Sequence, residues 1–185
     1  MGWHRAGGPQ AGGPQAGGPR AGGPGGPLRE GLIAGLVATT AMDASYAAER
    51  QLRRNVTGPL DYDDSDVPVL AAARLLRRTD LPPAASRALG FLVHWGYGSL
   101  VGVAAVPLCR RCRPVAATTG YWAGLMVMAC VLFPALGDTP PPWRWRGDVI
   151  ATSAAQHLVY AASATATLGV LARRRPARGS ETGAA

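Results

Sequence analysis

Four apolar blocks of near-membrane length, residues 31–48, 88–108, 115–136 and 149–172, constrain this chain more than any other feature. A helix needs about 20 predominantly apolar residues to cross the hydrocarbon core of a bilayer. Blocks of this length predict an all-α bundle of four transmembrane helices, since helices and closed barrels alone satisfy their backbone groups in lipid. A soluble four-helix bundle would instead carry a charged face on each helix, and these blocks lack one. Between Ala88 and Leu108 the one side chain that readily charges near neutral pH is His94, and Asp43 interrupts the first and shortest block.

The 185 residues make one domain of ordinary size. Residues 6–25 repeat AGGPQ, AGGPQ, AGGPR and AGGPG. No side chain there can build a core, so residues 1–29 are expected to form a disordered Gly/Pro-rich tail rather than a signal peptide. The membrane domain is then 30–173, with a surface loop at 49–87 and a C-terminal tail at 174–185. The net charge of +8 comes from 19 basic residues, all Arg, set in short groups beside the apolar blocks. They do not gather on one stripe, so no nucleic-acid partner is expected.

Arg110, Arg111, Arg113 and Arg173 to Arg175 flank the blocks on the side of the termini, against Arg144 and Arg146 in the last connection. The positive-inside rule therefore favours cytoplasmic termini, although the loop from Arg50 to Arg87 holds seven arginines that argue the other way. In that loop Val67, Leu70, Ala71 and Leu75, with Arg74, Arg77 and Arg78, predict a short helix on the membrane surface, capped by Ser65 or Asp66. Asp61, Asp63, Asp64 and Asp66 lack the central Gly and closing Glu of an EF-hand loop, so they read as caps and solvated charges. Trp143 and Trp145 alternate with Arg144 and Arg146 in the manner of an interfacial anchor.

Inside the second block, FLVHWGYGSL sets His94 and Tyr97 among glycines. Gly31–Leu36 and Gly120–Leu125 both read G-x-x-A-G-L, while His94–Tyr97 and His157–Tyr160 both read H-x-x-Y. The matching order predicts a direct repeat of two helix pairs. Four-residue spacing puts Gly90, His94, Gly98 and Gly102 on one helix face, and likewise Gly31, Gly35 and Asp43. Small residues on such faces let membrane helices approach closely, so Gly31, Gly35, Gly90, Gly98, Gly102, Gly120 and Gly124 are expected packing positions. From the helical rise, Asp43, His94 and His157 lie roughly 8, 9 and 12 Å inside their spans. They are expected in one polar layer away from the termini, with Tyr97 and Tyr160 one turn deeper.

Three uses of that layer stand open. The residues can hydrogen-bond helices together. They can form a proton-, ion- or solute-handling site, since intramembrane ionisable groups are costly and a carboxylate beside imidazoles favours the charged imidazolium. Or His94 and His157 can ligate haem b, or a divalent metal together with Asp43. Cys109 and Cys112 form a C-x-x-C among arginines without the two further ligands zinc needs, and read as an inert thiol pair. No G-x-S-x-G, H-E-x-x-H or phosphate-binding loop is present, so no catalytic residues are assigned and an enzyme is not expected. Four spans are few for a monomeric transporter, which points to the lipid bilayer and a homodimer or membrane partner.

From Gly120-x-x-Ala-Gly124 through Phe133-Pro-Ala-Leu-Gly-Asp-Thr-Pro-Pro141 to His157-Leu-Val-Tyr160, the chain resembles the YagU-like bacterial inner-membrane proteins. Gly31-Leu-Ile-Ala-Gly35 and His94 fit the same pattern, so the likeness covers about residues 30–172. The repeat-rich N-terminus and the Asp-rich loop depart from it. The resemblance implies a multi-pass inner-membrane fold with two shared histidines, and implies no reaction.

Overall fold

The computed structural model describes residues 25–56, 72, 82–135 and 140–174. The repeat tail, the Asp61–Asp66 run, the surface helix expected around Val67–Arg78 and nearly all of the C-terminal tail lie outside them. Every regular element among the described residues is helical. Helix α1 is Gly25–Val56, and α2 is Pro83–Arg111. Helix α3 begins as Pro114–Val127, passes through a π turn at Met128–Leu132 and ends with Phe133–Ala135. After a 3-10 turn at Pro142–Arg144, α4 is Gly147–Arg173. Two of these helices, α2 and α3, are long and apolar enough to cross a membrane.

The first helix outruns its apolar block at both ends. Pro27 sits in its opening turn, where a missing N–H costs nothing, and Ala47-Ala48-Glu49-Arg50-Gln51-Leu52-Arg53 are mostly strong helix formers. Polarity ends the block at Ala48 without ending the helix. Prolines punctuate the next two. Pro107 cannot donate to the carbonyl four residues back and its ring crowds that turn, and α2 breaks into Pro83–Val103 and Ala105–Arg111 at Ala104. There the Ala104 N–H turns to the Val101 carbonyl at 3.0 Å. Pro134 acts likewise on α3, and the π turn at Met128–Leu132 precedes it.

The helices run up and down in succession. Gly31 faces Val103 and Gly35 faces Ser99, while Arg53 reaches Thr152 and Thr118 meets Thr165. Thus α1 lies between α2 and α4, and α3 packs on α4 and on the Ala105–Arg111 end of α2. The core is built largely of alanine: Ala34, Ala38, Ala105, Ala161 and Ala164 are fully buried, with Tyr121, Leu125, Tyr160 and Leu168 around them. Small side chains bring backbones together, the basis of helix association where lipid removes the hydrophobic drive.

Candidate functional site

Glycine brings α1 and α2 together along one seam. A Cβ on Gly31 would lie 2.5 Å from the Val103 Cα, and one on Gly35 would lie 2.6 Å from the Gly98 carbonyl oxygen. Gly102 rests on the backbone of Gly31 and Gly35, and Gly98 on the side chain of Thr39. Four of the expected packing glycines therefore act as such, and Gly90 is half-buried on the same helix. Gly120 and Gly124 do not: they are exposed, and among the described residues a Cβ on either would meet nothing within 4 Å. Their face of α3 turns outward, so the two G-x-x-A-G-L segments serve different surroundings.

One turn along the seam from Gly98, the His94 Nε2 lies 3.0 and 3.2 Å from the two carboxylate oxygens of Asp43. From Pro83 to His94 is 11 residues, roughly 16 Å along the helix. The pair is half-exposed, at 33% for the His94 side chain and 42% for Asp43. Trp95 stands edge-on to the imidazole, with ring centroids 5.8 Å apart and planes at 85°.

His157 does not join this pair by a hydrogen bond. It is buried, and its Nδ1 donates to the Ser153 carbonyl at 2.7 Å within its own helix. The expected layer thus divides into an interhelical Asp43–His94 pair and a self-bonded His157. Among the described residues, no three His, Cys, Asp or Glu side chains form a set able to hold a metal. The two-His, one-carboxylate set is not assembled among them, and Asp43 engages the Nε2 of His94.

Tyr97 and Tyr160 follow their histidines into separate contacts. The Tyr97 hydroxyl donates to the Met128 sulfur at 3.1 Å, in the π turn of α3. The Tyr160 hydroxyl donates to the Gly98 carbonyl across the bundle. Tyr121 completes this group: it donates to the Val101 carbonyl at 2.8 Å and packs 6.2 Å from Tyr160. Sequence reasoning passes over Tyr121 because it falls on a variable position of the G-x-x-A-G-L motif, where the first copy has Leu32. Its signal is a phenol inside an apolar block, whose O–H needs a partner when buried.

Beside His157, Gln156 is 2% exposed and its Oε1 has no hydrogen-bond partner among the described residues. Toward the α1 C-terminus, Glu49 pairs with Arg53, which also donates to Thr152 at 2.7 Å and lies 3.7 Å from Asp148. This network ties α1 to the start of α4, and α1 reaches it only because the helix continues past Ala48. At the other end Arg110 lies 3.6 Å from Glu30. Cys109, Cys112 and Cys130 are free thiols. Trp143 is exposed, and the Trp145 indole N–H donates to the Pro140 carbonyl.

No family model matches the chain, and no curated protein or solved structure matches it either.

Proposed function

We propose that the chain is a multi-pass protein of the bacterial inner membrane, similar to the YagU-like proteins, in which all four helices cross the bilayer with cytoplasmic termini. Its Asp43–His94 pair couples protonation to helix packing, and through that to proton or solute movement. The observation that carries this reading is an ionisable pair on helices that expose large apolar side chains: Leu36 and Val37 on α1, Phe91 and Leu92 on α2. Taking an ion pair out of water costs several kcal/mol per ion, so groups at such positions are functional candidates by default.

The other helices share the pattern. On α4, Ile150, Leu158 and Val170 are exposed while Ser153, Gln156 and His157 are buried. Polar groups inward and apolar groups outward suit a lipid surrounding, and this is why α4 can cross although its composition is mixed. With cytoplasmic termini the pair lies toward the outer half of the bilayer and answers to external pH.

Trp95 supplies the test, because a protonated imidazole quenches an adjacent indole. In the reconstituted full chain, the part of the fluorescence lost in Trp95→Phe should fall as external pH is lowered. The transition should vanish in His94→Gln and move in Asp43→Asn. Proton flux in dye-loaded vesicles should change in both variants. If flux is unchanged while both variants unfold more readily, the pair is a packing device and the coupling proposal fails.

A further inference from the structure

At the end of the bundle away from Asp43 and His94, a cavity of about 480 Å³ opens between the Ala105–Arg111 end of α2, the start of α3 and the end of α4. Its volume falls in the ordinary range for ligand sites, about 300–1,000 Å³. The inner wall is apolar, with Val106, Ala117 and Leu168 buried along it. The Thr118 and Thr165 hydroxyls on that wall are already satisfied, by each other at 2.7 Å and by carbonyls of their own helices. The groups left to meet a polar ligand are Arg110 and Arg173, both exposed on the cavity rim. Against these two guanidiniums stands one carboxylate, Glu30, held from Arg110 by 3.6 Å. Among the described residues Arg173 forms no ion pair.

Resting on the membrane reading above, we propose that this cavity holds an anionic phospholipid. Its phosphate lies against Arg110 and Arg173, and an acyl chain runs along the apolar wall. The excess of guanidinium over carboxylate selects an anion, and Arg is the side chain suited to phosphate oxygens. The wall selects a ligand with an apolar part. Val170 lines the cavity and is exposed, so an apolar side chain stands with the two arginines at its accessible edge. Basic pockets between membrane helices bind anionic headgroups on this physical basis.

Cys112, exposed on the same cavity, reports occupancy without any substitution. Maleimide labelling of Cys112 in the purified full chain should be slowed by phosphatidylglycerol and unaffected by phosphatidylcholine or inorganic phosphate. Fluorescent phosphatidylglycerol should bind the Arg110→Gln/Arg173→Gln variant about ten-fold or more weakly, as expected for losing charge-assisted bonds. Ala166→Trp, which fills the lined space while keeping both arginines, should abolish binding. Arg111→Gln, outside the cavity lining, should leave it unchanged. Equal protection by phosphatidylcholine, protection by inorganic phosphate alone, or undiminished binding in Ala166→Trp each overturns the proposal. Alkaline extraction of cell membranes reads the membrane placement separately. A chain that stays with the bilayer but ignores headgroup charge disproves the lipid site alone.

Discussion

Replacing Gly102 with Ala tests whether the α1–α2 seam depends on bare backbone. The added methyl would sit 2.5 Å from the Gly31 carbonyl oxygen and closer still to the backbone of Gly35. Neither is a flexible side chain that can swing aside. Ordinary contact begins near 3.4 Å, so the helices must part by about 1 Å, a gap that forfeits a quarter to a half of each dispersion contact along the seam. Overpacking of this kind costs about 1–3 kcal/mol, while Ala gains about 1 kcal/mol of helix propensity over Gly. The net expectation is a loss of up to about 2 kcal/mol, or a fall of roughly 2–4 °C in Tm per kcal/mol for a chain of this size. Gly124→Ala is the internal standard: among the described residues nothing lies within 4 Å of a Cβ there, so the propensity gain stands alone and Tm should hold or rise. Thermal melts of the two variants in one detergent, followed by helical circular dichroism, make the comparison. Equal shifts, or a fall at Gly124 as large as at Gly102, would refute the assignment of the seam to Gly102 and of the outward face to Gly124.

Three other outcomes are expected. Tyr160→Phe removes the hydroxyl bond to the Gly98 carbonyl and should cost about 0.6 kcal/mol, the mean for such bonds in membranes, with Tyr121→Phe similar; chemical denaturation in detergent measures both. Gln156→Met replaces a buried amide whose oxygen has no partner among the described residues and should be neutral or stabilising by about 1 kcal/mol in the same assay. A clear loss would mean that the amide oxygen has a bound water as its partner. Arg53→Ala unties Glu49, Thr152 and Asp148, and should raise hydrogen exchange at the α1 C-terminus and the α4 N-terminus while leaving the middle of α2 unchanged.

The helices are legible in the apolar blocks because long, continuous apolar runs favour helix over strand. Their ends are less legible, because Arg and Glu propagate a helix as well as Leu does, and α1 runs on to Val56 through charged residues. The glycine pattern shows both sides of the problem. Four-residue spacing states that residues share a face, which holds for Gly31 with Gly35 and for Gly98 with Gly102. It does not state which way the face points, and Gly120 with Gly124 points outward. The site divides in the same manner. Spacing and depth align Asp43 with His94, but His157 has a carbonyl acceptor four residues back in its own helix. A local acceptor competes with any distant partner without leaving a mark in residue spacing.

The break at Ala104 makes α2 a jointed element rather than a single rod. Below the joint, Pro83–Val103 packs on α1, with His94 on it; above, Ala105–Arg111 packs on α3 and α4, with Cys109 and Arg110 beside the cavity. A shift of the lower arm against α1 can be absorbed at the joint instead of passing up the helix. The tyrosine hydroxyls on the Gly98 and Val101 carbonyls then become the linkage that decides how much motion crosses. Two phenols, on α3 and α4, thus tie the lower arm of α2 to the helices that hold its upper arm.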